Sequence, residues 1–231
     1  MKAVILAAGK GSRLSGYTKG KPKCLLALGK ETVLQRELRI LQTCGICRQD
    51  IFVVGGYRYE CLQDLVPNLI VNDDYDQKDN SYSLGLALTK LPDDDVLVLD
   101  ADLCFEEEII YEILSDTHNN VLLSRRSKDT QESTGIVTTP DGKVSAIGKQ
   151  YTDTGYVYLS IFKIDKRIIP ILRSALLDED NVNTWYTTAI TRLCADYDFY
   201  NHVTDAKWHE MDDKDDYLET IQMFGLGETR I

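Results

Sequence analysis

Short apolar runs alternating with helical periodicity, a glycine loop directly after the first of those runs, and a hairpin signal past the midpoint together predict an α/β fold. Its core is expected to be a mostly parallel central sheet with helices on both faces, extended by antiparallel strands in the second half. The strands fall at residues 3–6, 51–55, 69–71, 96–100 and 121–124, each a β-branched or aliphatic stretch between turn residues. Apolar residues at helical spacing predict helices between them, at 32–43, 83–90 and 106–115. Past Ser133 the character changes. Residues 135–139 and 143–147 flank the turn Pro140-Asp141-Gly142, and 156–164 alternates as a strand. These added strands are expected to roof a site at the carboxyl ends of the parallel strands, where Gly9, Asp100 and Asp102 all fall. A last helix is expected over about 213–223.

The 231 residues carry a net charge of −11 and contain no linker-like, repeated or low-complexity tract, so residues 1–231 read as one domain. That acidic balance argues against nucleic acid as a partner, since sequence-independent binding needs a basic face over much of the surface. No apolar run reaches the ~18–20 residues of a membrane-spanning helix, and no cleavable leader opens the chain. A soluble cytoplasmic protein with no membrane partner is expected. Six cysteines include Cys44-Gly45-Ile46-Cys47, but no second pair or nearby histidine completes a zinc set. Reduced thiols at a helix end are the expectation.

Against the overall charge, the first thirty residues hold seven Lys or Arg and no Asp or Glu. Such a reversal of sign suggests a site for a polyanion. It frames the loop Leu6-Ala7-Ala8-Gly9-Lys10-Gly11-Ser12-Arg13-Leu14, which follows a strand. Glycines allow close approach and turn N–H groups toward phosphate oxygens, and the cations neutralise the remaining charge. Two other phosphate loops fail here. The dinucleotide fingerprint lacks its third glycine, where Leu14 stands, and the P-loop register at Gly16–Lys21 is one residue short and ends on Pro22.

The loop, followed by Lys21-Pro22-Lys23-Cys24-Leu25-Leu26, resembles the two-part signature of nucleotidyltransferases that join a nucleoside triphosphate to a phosphorylated small molecule. The resemblance continues through Asp100-Ala101-Asp102 and Trp208-His209-Glu210-Met211-Asp212 and so covers most of the chain. Asn72 to Leu84, with Tyr75 and Asn80-Ser81-Tyr82-Ser83-Leu84, is most similar to bacterial cytidylyltransferases acting on phosphocholine and related phosphates or phosphonates. The resemblance implies a Rossmann-like nucleotidyltransferase fold, CTP and a small phosphate or phosphonate as partners, and Mg²⁺ as cofactor. It assigns Lys23 to the α-phosphate and acceptor oxygen, and Arg13, with N–H groups from Gly9 to Ser12, to the departing phosphates. Leu6, Ala7, Ala8, Gly9, Gly11, Ser12, Asn80 and Ser83 become candidates for holding the nucleotide. A homodimer is left open as the assembly.

Asp100-Ala101-Asp102 ends the most apolar strand, so its carboxylates are rigidly placed, as a magnesium ligand must be. The resemblance makes Asp102 the ligand and Asp100 a supporting partner, against the alternative of a plain turn. Asp212 matches the second ligand, Glu210 stands in reserve, and Asp213, Asp215 or Asp216 could simply cap the last helix. Lys149 resembles a second lysine that neutralises the acceptor phosphate, with a solvated surface charge as the alternative. Tyr82, Tyr151, Tyr156, Tyr158, Trp185 and Tyr186 are candidates to face the acceptor, since a choline headgroup asks for aromatic rings, while a primary ammonium prefers carboxylates such as Asp153 or Asp180. Cytosine and uracil remain open as the base. A sugar-1-phosphate nucleotidyltransferase and a non-catalytic nucleotide sensor are the alternative functions.

Overall fold

In the computed structural model, which describes residues 1–127 and 133–227, strand β1 (Lys2–Ala7) leads into a helical turn at Ser12–Leu14, the short helix α1 (Ser15–Thr18) and another turn at Lys23–Leu25. A small hairpin, β2 (Ala27–Leu28) and β3 (Glu31–Thr32), opens α2 (Val33–Thr43). Then come β4 (Ile51–Gly55), β5 (Asn68–Val71), α3 (Asn80–Lys90), β6 (Val96–Asp100), β7 (Leu103–Phe105) and α4 (Glu108–Ser115). The second half adds β8 (Val121–Arg126), β9 (Gly135–Thr138), β10 (Val144–Gly148), β11 (Tyr156–Ile164) and α5 (Ile169–Leu176). The chain continues through α6 (Tyr186–Leu193), β12 (Tyr200–Val203), β13 (Trp208–Glu210) and α7 (Lys214–Met223).

The helix starts follow from local capping. Thr32 accepts a bond from the Gln35 N–H while the Gln35 side chain returns to the Thr32 N–H, a reciprocal cap of the kind that contributes about 0.5–2 kcal/mol. Helix α3 begins at Asn80 rather than at the expected residue 83, because the Asp79 carboxylate accepts from the Asn80 N–H and opens the helix one turn earlier. Asp213 caps α7 and Asp216 completes its reciprocal bond, the structural role open to the acids of that stretch.

Strand β1 pairs in parallel with β4 and β6, and β4 with β5, giving the order β6-β1-β4-β5. Ala3, Ile5 and Ala7 face one core with α2 and α4 residues such as Leu34, Leu38 and Ile110, while Val4 and Leu6 face another with Leu84, Leu172 and Ile190. The sheet is therefore covered on both faces, as its continuous apolar strands require.

The expected antiparallel strands are added in the second half. They extend the same sheet past β6, in the order β10-β9-β11-β6, with β8 beside β11 and β12 parallel to β8. The long strand β11 makes this possible by changing neighbours: Val157 pairs with Gly135 of β9, whereas Ile161–Ile164 pair with β6. Between the two halves Ser160 takes the left-handed conformation, φ 57°, where the register with β8 also shifts. That bulge bends the strand. Helices α1, α5 and α6 and strands β2, β3, β7 and β12 lie outside the sequence expectation. No helix among the described residues is long and apolar enough to cross a membrane.

Candidate active site

Lysine 23 is aimed by its own backbone and by one glycine. Pro22, at φ −53°, sets the turn before it, and Gly11 sits at φ 60°, where a Cβ would lie 2.6 Å from the Lys23 Cβ. Gly11 therefore serves to let the lysine stem cross the loop, a different use from the expected close approach to phosphate. At Gly9 the space around a Cβ is open. The Lys23 Nζ donates to Asp102 Oδ2 at 2.8 Å and to Asp212 Oδ1 at 2.9 Å, and Arg13 Nη2 lies 3.1 Å from Asp212 Oδ2.

The two acids meet because β13 pairs antiparallel with β7, and the Met211 N–H donates to the Asp102 carbonyl at 3.0 Å. Asp216 then fixes Asp212 by accepting from the main-chain N–H groups of Asp212 and Asp213. Glu210 completes a cluster in which Asp102, Glu210 and Asp212 each present an oxygen within 4.8 Å of the others. Burial, then the charges of Asp102, Asp212 and Asp100, push Glu210 up to about 8. Burial and Asp102 push Asp100 likewise to about 8. For Asp212, burial acts upward but is outweighed by Lys23 and Arg13, which hold it below the ordinary carboxylate value. Burial would lower Lys23, but Asp102 and Asp212 raise it above an ordinary lysine.

A cavity of about 350 Å³ opens beside these groups. Its lining includes Leu6, Ala8, Gly9, Asn80 and Ser83, the candidates for holding the nucleotide, together with Arg13, Asp102 and Asp212. The Ser83 hydroxyl is already engaged, accepting from Asn72 Nδ2 at 2.9 Å. Lys149 and Trp185 line it as well, Trp185 next to Tyr186, whose N–H donates to Asn80 Oδ1, with the Lys149 Nζ 4.2 Å from the ring centroid.

Several candidates lie outside this lining, Tyr151, Asp153, Tyr156, Tyr158 and Asp180 among them, and Lys23 meets it only through the carboxylates of Asp102 and Asp212. The Ala7 side chain belongs to the core, and Gly11 and Ser12 lie back along the loop. Tyr82 is turned away, about 200° around α3 from Asn80 at 3.6 residues per turn, with Lys78 over its ring. Tyr186 is buried: its ring packs on Phe162, and its hydroxyl donates to Asp100 Oδ2 at 3.2 Å and meets the Tyr158 hydroxyl at 3.4 Å. It cannot face an acceptor as expected and instead steadies Asp100. Tyr75, Lys78 and Asp79 line the cavity without having been singled out as site residues; their place just before the cap of α3 was the available signal. Asp100 and Glu210, given supporting roles, line it too. Cys44 ends α2, Cys47 is exposed, and all six cysteines are free thiols.

A basic loop that can meet a triphosphate, facing acids clustered around one lysine, is the equipment of nucleotidyl transfer, and the chain is a nucleotidyltransferase. It belongs to the family of MobA-like NTP transferase domains, whose profile matches residues 3–185. Among curated relatives, the CTP:phosphoglutamine cytidylyltransferase of Campylobacter jejuni is 24% identical over 92% of this chain and 96% of its own length. The 2-aminoethylphosphonate cytidylyltransferase of Lancefieldella rimae is 26% identical over 89% of this chain and 85% of its own. The solved CTP:phosphocholine cytidylyltransferase of Streptococcus pneumoniae superposes with a TM-score of 0.80, covering 96% of this chain and 98% of that one at 23% identity, a likeness of fold.

Proposed function

We propose that the chain transfers CMP from CTP to a small phosphate or phosphonate acceptor, such as phosphocholine or 2-aminoethylphosphonate, with Mg²⁺ and release of pyrophosphate. The observation that carries this reading is Lys23 held between Asp102 and Asp212 at 2.8 and 2.9 Å, next to a cavity lined by the glycine loop. CTP is favoured because the cytidylyltransferases named above align with about nine-tenths of the chain.

The residues fit a divalent cation. Asp102, Glu210 and Asp212 supply only oxygen donors, the preference of Mg²⁺, and Asp102 Oδ1 is buried without a hydrogen-bond partner. Bound there, the ion would neutralise charge on the α-phosphate and acceptor. The remaining work is positional. The N–H groups of the loop and Arg13 hold the β- and γ-phosphates, and Lys23 exchanges its carboxylates for the α-phosphate. An acceptor oxygen attacks the α-phosphorus in line; the new P–O bond forms as the bond to the β-phosphate oxygen breaks, and the electron pair leaves with pyrophosphate. Lys149 balances the acceptor's charge. Because its ammonium already covers the Trp185 ring, that face favours an anionic group near the lysine over a bare quaternary ammonium on the ring.

A pyrophosphate-release screen tests the reading. Four nucleoside triphosphates are paired with phosphocholine, 2-aminoethylphosphonate, glutamine phosphate, glycerol phosphate and several sugar phosphates. Release is expected with CTP and one of the small phosphates or phosphonates; turnover confined to sugar phosphates would overturn it.

A further inference from the structure

Helix α2 buries Val33, Leu34, Leu38, Ile40 and Leu41 against the sheet, and in the middle of that apolar face it carries Glu37. The side chain is 0% exposed, and neither carboxyl oxygen has a hydrogen-bond partner. A leucine would fill the position and continue the pattern, whereas a buried carboxyl without a partner destabilises the fold. Such a residue persists when it serves something other than packing.

What it serves lies directly across from it. The Met211 N–H bonds to the Asp102 carbonyl, and Leu103 stands opposite Glu210 in the β7–β13 pair. That pattern makes Leu103 and Glu210 a non-hydrogen-bonded pair, so the Leu103 N–H points away from β13. Leu103 is itself 0% exposed, and a buried main-chain donor requires an acceptor. Helix α2 packs on β7 and brings Glu37 toward it: burial, then the charge of Asp102, push its carboxyl well above the ordinary carboxylate value, and the Leu103 N–H acts the other way.

We propose that Glu37 is a positioning residue for Asp102, its carboxyl accepting from the Leu103 N–H and so fixing the β6–β7 turn from behind while Met211 fixes it from the side. The inference rests on the reading of Asp102 as a metal ligand. It assigns a role in the site to a residue on a helix that lines no part of the cavity. Partners behind a ligand commonly change metal affinity by about 10–100-fold when removed.

The test compares Glu37→Leu with Glu37→Gln, whose amide oxygen can still accept. In the metal-free protein, exchange of the Leu103 amide is followed by NMR with the Cys104 amide of the same strand as internal reference. Mn²⁺ binding in the presence of CTP is followed by calorimetry. Glu37→Leu is expected to melt at or above the wild-type temperature, yet to speed Leu103 exchange relative to Cys104 and to weaken Mn²⁺ binding by about tenfold or more. Glu37→Gln should restore both. Unchanged Leu103 exchange or unchanged Mn²⁺ affinity in Glu37→Leu overturns the proposal. If that variant does not fold, Glu37→Met is measured and judged by the same two outcomes. A wild-type protein that binds no Mn²⁺ refutes the metal-dependent function, while the amide measurement still decides whether Glu37 holds the turn.

Discussion

Two parts of the candidate site are built differently. Beneath the lining acids, Lys23 is only 14% exposed in its side chain and is tied to Asp102 and Asp212, which are in turn held by Met211, Asp216 and the β7–β13 pair. In the other part Trp185 is 40% exposed, and an exposed Lys149 rests on its ring. One part is preset before any substrate arrives; the other is made of side chains with room to move. Transition-state stabilisation depends on groups that do not reorganise, whereas recognition tolerates adjustment. Differences of acceptor among relatives are thus expected to reside in the open part.

The largest expected effect tests the rigid part. Asp102→Asn should reduce kcat/KM by about 10³–10⁴-fold, because a ligand charge is lost and Lys23 loses one of its two anchors. Steady-state kinetics across Mg²⁺ concentrations measure this, and full turnover in excess chelator would refute the metal's role. Next, Lys23→Ala should lower kcat by about 10²–10³-fold with little change in CTP affinity by calorimetry, while the exposed Lys21→Ala stays near wild type. The reverse result would mean the lysines are assigned in the wrong order.

Smaller effects should divide the two parts. Arg13→Ala is expected to raise KM for CTP by about tenfold and Lys149→Ala to raise KM for the acceptor by several-fold, since both cations are largely exposed and screened. Equal changes in both constants for both variants would erase the distinction. The smallest effect is one of pH. Asp100 and Glu210 titrate near 8 in the folded protein, above their unfolded values, so the folded state binds more protons in between. Stability is then fully present below about pH 4 and is lost as pH rises through 8. The metal-free protein should melt lower at pH 8 than at pH 6, and Asp100→Asn should flatten that slope; calorimetry at fixed ionic strength checks it.

Much of the sheet was legible because buried parallel strands are uniformly apolar, as in Val96-Leu97-Val98-Leu99. That Asp102 and Asp212 belong near the glycine loop came instead from the resemblance, because an acid after a strand reads equally well as a plain turn. Tyr186 was misread because an aromatic ring gives no sequence sign of whether it lines a cavity or fills a core, and its partners Phe162 and Asp100 come from other elements. Helix α6 was missed since its Thr-rich start, Tyr186-Thr187-Thr188, has weak helical preference and is fixed instead by Asn80, whose side chain accepts from the Tyr186 N–H. Glu37 drew no notice for the opposite reason: a glutamate in a helix is ordinary, and only its depth makes it unusual.

The bond from Lys23 to Asp212 spans 189 positions. As the polypeptide is synthesised at ~5–20 residues per second, roughly 10–40 s separate the appearance of the lysine from that of its second acid. The phosphate loop and the parallel strands can condense during that interval, but β13 cannot yet pair with β7, and Glu210 and Asp212 do not yet exist. Any nascent or proteolysed fragment ending before these residues carries the cationic loop without its acidic counterpart. Closure of this one long contact therefore comes late, and with the roles proposed for Lys23 and Asp212 transfer is expected to begin only once β13 has paired with β7.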